Sequence, residues 1–217
     1  MRLPISFYQQ PTLMVAQQLL GKRFVRSCPK VGVVSGWIVE VEAYLSRDDA
    51  ASHAARGLTR SNQAMFGPAG KLYVYPIHAR YCLNVVTEPT GEGAAVLIRA
   101  VEPEDGLAAM QSARGLKSDS KPVRLTSGPA RLCEAFRVDR SFDGYDLVNG
   151  QELWIEHDSR VNMEHRVYLR SPRIGISRAQ DLPLRFFIDG NPFVSGPRRW
   201  HSSAKTSALL NPKRSVV

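Results

Sequence analysis

The stretch Trp37-Ile38-Val39-Glu40-Val41-Glu42-Ala43-Tyr44 constrains the fold most. It reads as a strand that strictly alternates. Successive strand side chains point to opposite faces. Trp37, Val39, Val41 and Ala43 therefore make one apolar face, and Glu40, Glu42 and Tyr44 lie on the other. Glutamate is depleted in strands and costly to bury. The acidic face has two readings. It is the solvated outer side of an antiparallel sheet, or it is a stiff mount that holds a carboxylate beside an aromatic ring.

The flanking segments supply the rest of a sheet. Residues 11 to 20 read as a helix capped by Thr12 and stopped by Gly21. Residues 23–27 and 33–44 read as strands. A long polar loop over 45–70 carries His53, Arg56 and Arg60 and ends in Gly67-Pro68-Ala69-Gly70. A loop this long in a compact chain is usually functional or disordered. Leu72-Tyr73-Val74-Tyr75 is the next strand, and Tyr73 and Tyr75 share a face. Strands over 81–87 and 94–101 are joined by a turn over 88–93. Arg99 is a lone charge in the second of these, and such a charge needs a partner.

Pro103 is expected to open a helix that Gly115 closes. Ser127-Gly128-Pro129 starts another. Further strands are expected at 152–157, 164–170, 173–178 and 184–189. The pattern predicts an α+β fold: one domain over 1–196 with a mainly antiparallel sheet and a few packed helices. Residues 197–217 carry Arg198, Arg199, Lys205, Lys213 and Arg214 and no acid. They read as a basic, flexible tail, dispensable for chemistry and adding non-specific affinity.

The chain of 217 residues has a formal charge of +9, which points to an anionic partner, nucleic acid first and an acidic membrane surface second. The tail supplies over half of that charge, which weakens the case for a strong patch on the folded body. Three widely spaced cysteines make neither a disulfide framework nor a metal site. No metal or cofactor is expected. The start MRLPISFYQQ is no signal peptide, and no apolar run reaches 18 residues. These features predict a soluble intracellular protein. There is no phosphate-binding glycine loop and no Gly-x-Ser-x-Gly elbow.

An ordered set of stretches resembles the alkyladenine (3-methyladenine) DNA glycosylases of the single-domain purine type. They are Gly36 to Tyr44, His53 in its loop, Met65-Phe66, Leu72 to Tyr75, Cys82-Leu83-Asn84-Val85, Val96 to Pro103, Ser127 to Cys133, Arg173-Ile174-Gly175 and Pro183 to Phe187. The resemblance spans roughly residues 9 to 196. It implies a curved, partly barrel-like sheet and hydrolysis of the N-glycosidic bond of a damaged purine. It makes Glu42 the general base. Arg99 and the backbone carbonyl of Ile174 would help hold the water. Tyr44, His53 and Tyr75 would wall the base pocket, with Asn84 at its floor. The implied partner is double-stranded DNA, bound by a monomer, in a bacterial cytoplasm or nucleoid or a eukaryotic nucleus.

The chemistry of those residues agrees. A base inside a duplex must be flipped out to be reached. An electron-poor alkylpurine stacks well on tyrosine. A cationic one leaves easily, so positioning one water is the main task. No lysine stands in the matched positions, so no Schiff base and no strand cleavage are expected.

One stretch departs from the family. After Val74-Tyr75 the chain reads Pro76-Ile77-His78-Ala79-Arg80-Tyr81, one residue shorter than the usual hairpin with its tyrosine wedge. By count His78 takes the wedge position. Arg80 would lie against phosphate, and Tyr81 is the alternative wedge. Such a tip would tolerate single-stranded DNA better.

Two other readings compete. A non-catalytic reader of modified bases has little need for Glu42 and Arg99. A glycosidase or transferase acting on free nucleosides, with Glu40 and Glu42 as acid and base, would need carboxylates on opposite sides of the bond.

Overall fold

The computed structural model describes residues 1–29, 32–158, 167–197, 199–202 and 205–206. Its strands are β1 (Arg23–Cys28), β2 (Gly32–Tyr44), β3 (Leu72–Ile77), β4 (Arg80–Thr87), β5 (Ala94–Pro103), β6 (Leu153–Glu156), β7 (Tyr168–Ser171), β8 (Arg185–Ile188) and β9 (Lys205–Thr206). The helices are α1 (Ile5–Tyr8), α2 (Thr12–Leu19), α3 (Leu107–Ala113), α4 (Val123–Thr126), α5 (Pro129–Ala135) and α6 (Arg199–Ser202). The strands form one curved antiparallel sheet in the order β3-β4-β5-β2-β8-β7-β9, and the whole is an α+β half-barrel.

Strand β2 is the hub. One edge pairs with β5 from Gly36 to Tyr44. The other edge pairs first with β1, from Gly32 to Trp37, and then with β8, from Glu40 to Glu42. Every residue from Ile38 to Ala43 is buried, so both faces of the strand are covered. The solvated-face reading of Glu40 and Glu42 therefore fails: each is 0% exposed. The β2–β5 register is also irregular. Ile38 pairs with Val101, Glu40 with Ala100 and Val41 with Ile98, so Val39 and Arg99 both drop out of the pairing. Such bulges re-aim side chains and recur beside active sites.

The core fills the sheet's inner side. Phe24, Ile38, Leu83, Ile98, Phe136 and Phe187 are fully buried or nearly so. Each contributes about 1.5–3 kcal/mol of apolar burial relative to an exposed side chain. Among the described residues no helix is long and apolar enough to cross a membrane.

Several local expectations change. Thr12 does not cap α2; it is the first helical residue. Glu88, from the β4–β5 turn, accepts from the Thr12 N–H at 2.9 Å and from its hydroxyl, taking over the cap. Pro103 does not open α3, because it still pairs with Gly36 at the end of β5. The helix starts after Gly106, whose φ of +76° favours glycine. Residues 173–178 form no strand: Arg173 turns inward and Gly175 has φ +77°. Of the strand expected over 164–170, residues 164–166 lie outside the described residues. The chain does not leave the fold at Pro197. Residues 199–202 form α6 and β9 pairs with β7, while 207–217 lie outside the described residues.

Candidate active site

The β2–β5 pair carries a buried row of charges. Glu42 Oε1 lies 3.2 Å from Arg99 Nη1 and accepts the Ile174 N–H at 2.8 Å. Its Oε2 accepts from the Tyr44 hydroxyl at 2.9 Å. A buried carboxylate is tolerated only when paired and hydrogen-bonded, and Glu42 is both. The resemblance assigned a role to the Ile174 carbonyl. The contact seen at this residue is made by its amide N–H.

Arg99 bridges outward to a second carboxylate. Its Nε donates to Glu40 Oε1 at 3.0 Å. Arg185, 0% exposed, donates to the same oxygen at 2.6 Å. The Ser195 N–H donates to Glu40 Oε2 at 2.7 Å. The row Glu42–Arg99–Glu40–Arg185 thus has two negative and two positive charges. Burial pushes the Glu40 carboxyl up, but Arg99, Arg185 and Ser195 more than offset it, so it stays below its ordinary range. Burial pulls the Arg99 guanidinium down, but Glu42 and Glu40 hold it above its usual value. Burial, then the Glu42 charge, pushes the Tyr44 phenol well up, so it remains a hydrogen-bond donor.

A separate pair fixes the neighbouring loops. Arg173 makes two bonds to Asp49, at 2.7 and 2.6 Å, and a third to the Ala43 carbonyl at 3.0 Å. Its guanidinium lies 4.6 Å over the Tyr44 ring. This bidentate pair ties the start of the long loop to the turn that presents Ile174. Sequence reasoning gave no role to Asp49, Arg173, Arg185 or Ser195. The signal was available: Arg173 and Arg185 sit in apolar surroundings, as Arg99 does.

An aromatic cavity of about 520 Å³ opens over β3, lined by His53, Arg56, Asn62, Tyr73, Tyr75 and Tyr81 among others. His53 Nδ1 is 2.7 Å from the Tyr73 hydroxyl, and its ring lies 4.6 Å from that of Tyr75. Tyr44 packs in the same aromatic cluster as Tyr73 and Tyr75. Asn62 holds the loop in place, donating to the carbonyls of His53 at 3.0 Å and Gly57 at 2.9 Å. Asn84 is buried beneath and donates to the Tyr73 carbonyl at 2.9 Å. Burial first, then Arg56, lowers the His53 pKa, which favours the neutral ring. Burial pushes the Tyr73 phenol up to about 12. Glu42, Tyr44, Asn84 and Arg99 do not line the cavity itself. They lie in the packed layer beside it.

The hairpin tip is a two-residue turn. Ile77 pairs with Arg80, and His78 and Ala79 have φ of +45° and +60°. Positive φ at both central residues is the geometry that matches the twist of a hairpin. His78 is exposed at the tip. Arg80 is not free for a phosphate in this state: it pairs with Glu134 at 3.0 Å. Glu134 also pairs with Arg114. Tyr81 faces the cavity with Pro76. Among the described residues there is no cluster of three or more His, Cys, Asp or Glu able to hold a metal.

The chain is similar in sequence to known proteins. The family model described as methylpurine-DNA glycosylase matches residues 6–192. A relative from Rhodopirellula baltica is 48% identical over 206 residues, covering 94% of this chain and 87% of its own. One from Chlorobaculum parvum is 44% identical, covering 91% and 92%. One from Methanoculleus marisnigri is 42% identical, covering 90% and 99%. All three carry the name 3-methyladenine DNA glycosylase.

Proposed function

The chain belongs to the methylpurine-DNA glycosylase family, and from that premise we propose that it removes alkylated purines by a single water attack directed by Glu42. The family makes it a DNA glycosylase acting on alkylpurines. The observation that carries the finer reading is the buried Glu42, fixed by Arg99, Tyr44 and the Ile174 amide beside an aromatic cavity.

In this reading the damaged base leaves the stack and enters the cavity lined by Tyr75 and His53. Glu42 takes a proton from water, and the water oxygen bonds to the anomeric carbon. The C1′–N bond breaks, and its electron pair goes to the purine. A base that carries a positive charge becomes neutral on leaving, so it needs no acid. Hypoxanthine or an etheno-adenine is neutral and needs a proton, which makes it the slower class. Among the described residues no lysine lines the cavity, which supports a product with an intact strand and an abasic site.

The surface beside the hairpin supports a duplex partner. Glu134 is shared by Arg80 and Arg114, and burial together with Arg131, Arg80 and Arg124 lowers the Arg114 pKa. The like charges of Arg131, Arg80 and Arg124 acting on Arg114 give a surplus of positive charge, suited to phosphates.

The test is a set of duplex oligonucleotides with one lesion each, incubated with enzyme and then split into samples with and without alkali. Breaks are expected only with alkali, fastest for 3-methyladenine and 7-methylguanine. Breaks without alkali would remove the single-water mechanism. No breaks from any alkylated purine would remove the whole reading.

A further inference from the structure

Trp200 and His201 lie beyond residue 192, where the family match ends, yet they lie against residues that adjoin the active-site carboxylate row. Ser195 is the junction. Its N–H donates to Glu40 at 2.7 Å, its Oγ accepts from Arg99 at 3.2 Å, and its carbonyl accepts from Arg185 at 3.1 Å. The Nε2 of His201 lies 3.1 Å from the same carbonyl, a hydrogen bond when that nitrogen carries the proton. The imidazole also packs 5.4 Å from the Phe187 ring.

The next residue extends the contact. Gly196 has φ +87°, and a Cβ there would fall 2.6 Å from the Trp200 ring and 3.4 Å from Ile174 Cδ1. The indole and the Ile174 side chain therefore both lie beside the Gly196 backbone, with the indole still 41% exposed. Ile174 is the residue whose amide holds Glu42.

We infer that Trp200 and His201 form a clamp that positions Glu42, through Ile174 on one side and through Ser195, Arg99 and Glu40 on the other. This rests on the assignment of Glu42 as the base. Neither residue of the clamp reaches the reacting atoms; both are positioning residues. The clamp replaces the expectation that everything from Pro197 onward is dispensable for chemistry. A misplacement of about 1 Å remote from the reacting bond costs up to about 100-fold in rate, so a loosened carboxylate is costly.

The experiment measures single-turnover excision at saturating enzyme, together with the enzyme concentration that gives half-maximal rate. Trp200→Ala and His201→Ala are expected to lower the saturated rate about tenfold with the half-maximal concentration unchanged. Trp200→Phe and His201→Gln keep an aromatic face and an N–H donor, and are expected to restore the rate to within about twofold of wild type. Deleting residues 207–217 leaves the clamp and should leave the rate intact. The clamp is overturned if both alanine variants keep the saturated rate, if the loss appears only in the half-maximal concentration, or if the conservative variants are no better than alanine. Should the wild type form no abasic sites, the glycosylase reading itself has failed. The clamp is then judged by amide hydrogen exchange at Ser195 and Ile174: faster exchange in both alanine variants supports it, and unchanged exchange overturns it.

Discussion

The Ile174 amide N–H donates to Glu42 Oε1 at 2.8 Å, across 132 residues of chain. With Arg99 and Tyr44 it leaves the carboxylate no freedom to rotate. Glu42→Gln should therefore keep the shape of the site and lose the proton acceptor. Binding to lesion DNA is expected to persist while the single-turnover rate falls by about 100-fold or more. A rate near wild type would end the assignment.

Glu40→Gln should fail differently. It leaves Arg99 and Arg185 buried with one carboxylate fewer. Breaking a buried pair on one side costs about 3–5 kcal/mol. Urea unfolding is expected to show that loss, and the residual folded enzyme should still excise. A dead but fully stable Glu40→Gln would exchange the roles of the two glutamates.

The Asp49–Arg173 pair predicts a pH effect on stability. Burial raises the Asp49 carboxyl, and Arg173 more than offsets this, holding it below its ordinary value of 3.8. A lowered acid contributes stability that is complete above the unfolded pKa and lost as pH falls through the folded one. Asp49→Asn should thus be less stable than wild type at pH 6, with the gap closing below about pH 3.8. Urea midpoints at pH 6 and pH 3 measure it; a gap that is constant with pH would show that the charge is unimportant.

His53 predicts a change in lesion preference. Its lowered pKa favours a neutral ring at pH 7, and protonation at lower pH adds a positive charge beside the Tyr75 face. A cationic base should then be disfavoured relative to a neutral one. The ratio of 7-methylguanine to hypoxanthine excision is expected to fall as pH drops below 6.5, and His53→Gln should flatten that ratio. Taking a ratio cancels any pH dependence that both lesions share. A pH-independent wild-type ratio would contradict the assignment.

At the hairpin tip, His78→Ala is expected to slow excision from duplex DNA and barely change it from single strands. Flipping costs a few kcal/mol only in paired DNA. Equal loss on both substrates would move His78 into the pocket's account, and no loss on either would make Tyr81 the next wedge to test.

Glu134→Gln should tighten DNA binding. It releases Arg80 and Arg114 from their shared carboxylate. The slope of log affinity against log salt is expected to steepen by about one to two units, one per freed phosphate contact. Fluorescence anisotropy over a salt series reads this, and a weaker or unchanged affinity would remove this surface from the interface.

Much of this was legible in the chain. The alternation of residues 37–44 located the central strand, and the lone Arg99 announced a buried partner. The tyrosines of β3 were read on the right face. What the pattern could not carry were the pairings that join distant segments. Arg173 looked like part of a strand because Ile174 and Ile176 follow it, and its contact with Asp49 accounts for the inward turn. Likewise Pro103 is a common helix opener, and its place in β5 follows from Gly36 on the neighbouring strand. Arg80 read as a free cation because nothing local identifies Glu134 as its neighbour.

Because β2 borrows its partners from β5, the 174 turn, β8 and Ser195, the site draws on nearly the whole length of the chain. A nascent chain that has emerged only as far as β5 holds Glu42 and Arg99 but not Ile174, Arg185 or Ser195. Its carboxylate is neither aimed nor shielded. With Glu42 as the base, excision can therefore begin only once synthesis has passed Ser195, and a product terminated before that residue has no means of making abasic sites.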